Sequence, residues 1–122
     1  MNRIVHFELP VSDPETSIKF YTDVFGWTFQ KWDGPMDYWM IMTGTGEPGI
    51  DGGLMRRQDP AQPIACTVAV ENVDATCAAI VAAGGQIVLA KMPVPGVGWL
   101  AYFKDPDGLI SGVMQNDPTA GQ

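Results

Sequence analysis

Basic residues are scarce in this chain: 7 Lys and Arg stand against 14 Asp and Glu, for a formal charge of −7. Nucleic-acid binding normally needs a basic stripe to neutralise phosphates. Anionic membrane surfaces also attract basic segments. Neither partner is expected. Histidine is scarcer still. His6 is the only one, so no Ser-His-Asp or Cys-His arrangement suggests itself. No glycine-rich phosphate loop runs into a helix with Lys, and no carboxylate pair is strongly placed for glycoside chemistry. The two cysteines, Cys66 and Cys77, lack metal-type spacing and read as reduced core thiols of a cytoplasmic protein. No stretch approaches the ~20 apolar residues of a membrane span. The start, MNRIVHFELPV, has no long apolar run after Arg3 and does not read as a signal peptide.

What is present is a folding chain with an internal repeat. Hydrophobic residues make up 46% and include four Trp, which excludes a disordered chain. A length of 122 residues supports one domain with a modest core. At a constant offset of 59 residues, Val70 returns to Val11, Gly85 to Gly26, Gly108 to Gly49, Gly112 to Gly53 and Met114 to Met55. A period of half the chain means two copies of one supersecondary unit, because a solenoid needs three or more shorter repeats.

Each copy reads β-α-β-β-β. In the first, Arg3–Leu9 alternates, with Val5, Phe7 and Leu9 on one face and Ile4, His6 and Glu8 on the other. Asp13-Pro14-Glu15 is a helix start: a cap, a proline at the first helical position, and an acid at the positive end of the dipole. Ile18, Tyr21 and Phe25 give a helical stripe, and Gly26 can terminate the helix. Strands are expected at Trp27–Trp32, Tyr38–Thr43 and Ile50–Arg57, the last weakened by Gly52 and Gly53. The polar segment 58–63, with Pro60 and Pro63, is the linker between a first module (1–57) and a second (64–115). The second module repeats the pattern: strand Ile64–Val70, helix Val73–Ala83 with Cys77, Ile80 and Val81 inward, and strand Gln86–Ala90. A loop at Pro93–Gly98, strand Trp99–Lys104, the turn Asp105-Pro106-Asp107-Gly108 and strand Leu109–Gln115 complete it. The tail, 116–122, is expected to fray.

One helix covers one face of a four-stranded sheet and leaves the other face to a partner module, a subunit or a ligand. The paired βαβββ modules, His6 on the first strand, Asp13-Pro14, Phe25-Gly26 and the Asp105–Gly108 turn resemble the vicinal oxygen chelate superfamily. That group includes glyoxalase I, extradiol dioxygenases, methylmalonyl-CoA epimerase and bleomycin-resistance proteins. Within it, Trp32–Trp39 and Val94–Gly98 look like the uncharacterised glyoxalase-like branch. The resemblance implies an α+β fold whose two modules form a cup-shaped mixed sheet.

It also implies where a metal would sit. Metal-using members carry one ligand on the first and one on the last strand of each module. Those positions fall here on His6, Gly53, Ala65 and Gly112. One imidazole does not retain a divalent ion, since catalytic sites supply about three protein ligands. No cofactor is therefore expected. A displaced site of His6, Glu8 and Asp51 is the one route by which a divalent metal re-enters, because residues two apart share a strand face.

Ile4, His6, Glu8, Asp51, Met55, Thr67, Ala69, Ile110 and Met114 join the vacated positions as a mostly apolar wall, suited to a small molecule. Gly53 and Gly112 either make room for a ligand or admit large side chains from a neighbouring strand. Tyr38, Trp39, Trp99 and Tyr102 lie on the third strands, with faces that the spacing does not fix. The pair Arg56-Arg57 is expected to be solvated.

Two functions compete. One is metal-free binding of a small, partly apolar ligand. The other is a lyase, isomerase or dioxygenase-type enzyme with His6 and Glu8 as acid and base, the carboxylate holding the His6 pKa near physiological pH. A homodimer, with module exchange permitted by the linker, is expected in either case.

Overall fold

The computed structural model describes residues 1–122. Its elements are β1 (Arg3–Val11), α1 (Pro14–Phe25), β2 (Thr28–Lys31), β3 (Tyr38–Met42), β4 (Gly52–Arg56), β5 (Ala65–Ala69), α2 (Val73–Ala82), β6 (Gln86–Val94), β7 (Gly98–Lys104) and β8 (Ile110–Asn116). The chain is an α+β protein of two βαβββ modules with mixed sheets. Two compact units are formed, His6–Ile64 and Ala65–Gln122 with Met1–Val5. They are the first and second modules below.

In the first module, strands neighbour in the order β2-β3-β4-β1. β1 and β4 are parallel, with Phe7 opposite Gly52, Glu8 opposite Gly53 and Leu9 opposite Leu54. Such a pairing requires a crossover, which α1 provides. The Asp13 side chain caps α1 through the Thr16 N–H and hydroxyl. Gly26 closes it in the left-handed region at φ 72°, its N–H donating to the Thr22 carbonyl. Alternation then sorts β1: Phe7, Leu9 and Val11 join the helix-side core with Leu54, Ile41 and Tyr21, while His6 and Glu8 take the opposite face.

The second module follows the same plan, β5-β8-β7-β6, with β5 parallel to β8. Asn72 caps α2 through the Ala75 N–H. Val70, Val73, Ala101 and Val113 form the core, with Cys77, Ile80 and Phe103 against it. Val81, expected inward, is 58% exposed.

The offset of 59 holds where the ligand-bearing strands lie: Glu8 opposite Gly53 becomes Thr67 opposite Gly112. It fails on the third strands. Met40 faces Gly53, and the residue facing Gly112 is Tyr102, an offset of 62. The chain ahead of the third strand is three residues longer in the second module, because β6 outruns β2, and the stretch after it is three residues shorter, so the changes cancel. Two further expectations are corrected. β6 runs on to Val94 and takes in the first two residues of the expected loop, with Pro93 paired to Trp99. β6 is a sheet edge, where a strand tolerates a missing N–H. The tail is also docked. The Ala120 carbonyl accepts from Gly96 N–H, Asp117 N–H donates to the Val97 carbonyl, and Ala120 is buried.

Candidate functional site

His6 and Glu8 lie two apart on β1 and share the face away from α1. Gly53 stands beside Glu8 on β4, and Met40 beside Gly53 on β3. The functional residue that sequence reasoning did not place is Tyr38. Its side chain reaches from β3 across β4, so that its hydroxyl lies 2.8 Å from His6 Nε2 and donates to Glu8 Oε2 at 3.3 Å. The path crosses Gly53. A Cβ there would coincide with the Tyr38 hydroxyl and ring. Gly52 does the same on the other face, where a Cβ would meet the Phe7 carbonyl at 2.5 Å and the Phe7 ring at 2.7 Å. The glycine pair thus admits one aromatic ring on each side of β4. That pair in a strand is the signal that pointed to close approach. Of the two readings of Gly53, the filled one is observed.

Trp32 stands edge-on to Tyr38 at 6.2 Å and folds back over Gly34. Met40 is 43% exposed on the same face as Tyr38, and Met55, beside Tyr38 on β4, is buried. Asp51 is engaged elsewhere. Its carboxylate accepts from the Thr43 N–H at 2.9 Å and lies 3.4 Å from the Thr43 hydroxyl, closing the β3–β4 loop. It does not join His6 and Glu8 as a third ligand, although its charge reaches His6.

Burial pushes the His6 pKa below its ordinary 6.5, against the opposing pull of the Glu8 and Asp51 charges. Desolvation therefore outweighs the carboxylate expected to raise it, which favours the neutral imidazole. Burial first, then the Glu8 charge and hydrogen bond, push the Tyr38 phenol up, so it keeps its proton.

In the second module, Ala65 and Thr67 are buried on β5. Gly112 faces both Thr67 and Tyr102, and a Cβ there would stand 3.3 Å from the Tyr102 ring and 3.4 Å from the Thr67 hydroxyl. Met114 lies beside Ala69 on β8, Ile110 opens that strand, and Ile4 is exposed. A cleft of about 420 Å³ opens in this module between α2 and the sheet, lined by Val68, Val70, Ala79, Ile80, Phe103 and Val113. It shares no residue with the expected pocket wall. Arg56 pairs with Asp37 at 3.3 Å, and Arg57 donates to the Pro10 carbonyl. Both arginines are thus tied to the strand ends.

The residues at the family's ligand positions do not fit a metal ion. Gly53, Ala65 and Gly112 carry no donor side chain, and His6 Nε2 faces a phenol. No three His, Cys, Asp or Glu side chains gather as a metal-binding group.

Comparison with known proteins agrees with this architecture. A Mycobacterium bovis protein named as a glyoxylase, CFP32, is 33% identical over 91% of the chain, and the chain spans 43% of that relative's length. A Vibrio parahaemolyticus protein named "Probable lactoylglutathione lyase" is 32% identical, with 93% of this chain and 91% of that one covered. Methylmalonyl-CoA epimerase from Mycobacterium tuberculosis shares the fold, with a TM-score of 0.73 at 15% identity over 94% of this chain and 88% of that one. The family model described as the Glyoxalase/Bleomycin resistance protein/Dioxygenase superfamily matches residues 3–110, and to that superfamily the chain belongs.

Proposed function

We propose that this chain is a small-molecule-binding member of the superfamily that works without a bound metal. The observation that carries this reading is the Tyr38 hydroxyl over Gly53, on the His6 nitrogen. A residue at 53 long enough to coordinate would displace Tyr38, so this half-site has exchanged a ligand position for a phenol. The ligand is a small, partly apolar molecule. His6, Tyr38 and Glu8 supply its polar contacts, and exposed Met40 offers an adaptable apolar surface beside them. The protein acts as a cytoplasmic homodimer. Phe20 and Val24, one turn apart on α1 and both more than half exposed, supply an apolar stripe suited to a second subunit. Saturable binding of an apolar probe, lost on Tyr38→Ala and without conversion of the probe, supports the reading. Turnover of the probe sinks it. A monomer in sedimentation equilibrium at micromolar concentration removes the dimer.

A second reading is a lyase or isomerase. It is favoured by a neutral imidazole hydrogen-bonded to a phenol, a pair able to take up and return a proton, and by the relative named as a lactoylglutathione lyase. Its test is formation or breakdown of lactoylglutathione, followed by chromatography. Activity abolished by His6→Ala in a folded protein establishes it, and absence of any conversion rejects that substrate.

A further inference from the structure

The three polar groups of the first module share too few protons to be arranged freely. The phenol has one proton to give and two neighbours, Glu8 Oε2 at 3.3 Å and His6 Nε2 at 2.8 Å. A carboxylate only accepts, whereas a neutral imidazole donates from one ring nitrogen and accepts at the other. If the phenol donated to His6, its oxygen would face the Glu8 carboxylate with no proton between them. If it donates to Glu8, the long 3.3 Å contact carries a proton toward the carboxylate, and the phenol oxygen is left to accept from His6 Nε2–H over the shorter 2.8 Å contact. Only the second arrangement satisfies both contacts at once.

We propose that Tyr38 is a positioning residue that fixes His6 in the Nε2–H tautomer, so that Nδ1 is presented as an acceptor to a ligand carrying an N–H or O–H donor. The geometry supports each part. Tyr38 is held in place from below by the absence of a side chain at Gly53 and from the side by Trp32. The hydrogen bond made by one ring nitrogen decides the state of the other. Tyr38 contributes the only hydrogen bond formed by the His6 ring. No fully buried polar side-chain atom lacks a partner, so Nδ1, which has none within the protein, is not sealed from solvent. The ligand class rests on the binding reading above, but the tautomer does not.

The presence of a single histidine makes the test direct. Long-range ¹H–¹⁵N correlation spectra of the ligand-free protein separate the two tautomers without assignment. The expected result is Nε2–H in the wild type and a mixture in Tyr38→Phe, a change that loss of packing alone does not produce. A wild-type spectrum showing Nδ1–H overturns the proposal, whatever the variant does. Indole and 1-methylindole, which differ by one N–H, then test the ligand class by titration. Indole is expected to bind about three- to tenfold more tightly, the range of one net hydrogen bond, and to lose that advantage in Tyr38→Phe. Equal binding of the two overturns the ligand class. Binding of neither counts against the binding reading as well, while the tautomer stands or falls on its own spectrum.

Discussion

The Tyr38 hydroxyl occupies the space that a Cβ at position 53 would need. Any residue but glycine there forces the phenol away from His6 and Glu8. Gly53→Ala is therefore expected to destabilise the protein by about 1–3 kcal/mol, the usual cost of overpacking a filled site. In the double variant Gly53→Ala/Tyr38→Ala, the clash is absent. The two substitutions should then be strongly non-additive in a double-mutant cycle read by urea denaturation. Additive effects would mean that the side chains do not meet.

His6 predicts a pH dependence with a definite sign. Its folded pKa lies below 6.5, with burial the main cause. Between that value and 6.5 the unfolded chain binds the proton and the folded chain does not, so stability rises with pH through this window. Acidification from about pH 7.5 to about pH 5.5 should lower the urea midpoint, and His6→Gln should flatten that slope. The exposed carboxylates Asp13, Asp37 and Asp117, whose pKa values are also lowered, act in a separate and more acidic window. An unchanged slope in His6→Gln would place the titration elsewhere.

The core of the first module turns on Leu54, fully buried against Leu9 and Ile41. Leu54→Ala removes three buried carbons and leaves a cavity, at an expected cost of about 2–5 kcal/mol. Equilibrium denaturation checks it. A loss well under ~1 kcal/mol would mean that the β4 side chain is not packed as described.

The docked tail gives a fourth test. The Trp99 indole N–H donates to Asp117 at 3.1 Å, and the Ala120 carbonyl holds the Gly96 N–H at 3.0 Å. Asp117→Ala should cost about 0.5–1.5 kcal/mol. Removal of residues 117–122 should lower the Tm further and shift the Trp99 emission. A truncated chain as stable as the parent would restore the expectation of a frayed end.

How far the chain could be read from its residues follows from where the repeat is regular. Glu8 with Gly53 and Thr67 with Gly112 keep the offset of 59, so the first and last strands, the helix caps and the shared faces were legible. The third strands break the offset through two compensating length changes, which leave the total untouched. Tyr38 and Tyr102 sit on those strands. Their faces were therefore hidden, and with them the reason for glycine at 53. The direction of the His6 shift was hidden for a different reason: adjacent charge is visible in sequence, but burial is not. The tail was misread because its anchors, Gly96 and Trp99, are distant in sequence and act mainly through backbone groups and one indole.

The most direct test of the central claim is metal content by elemental mass spectrometry after exposure to Ni, Zn, Mn and Fe(II) and exhaustive dialysis. The account predicts occupancy near zero for each ion, in the wild type and in His6→Ala alike. About one ion per chain, lost in His6→Ala, would contradict it and show that a metal displaces Tyr38 from the imidazole.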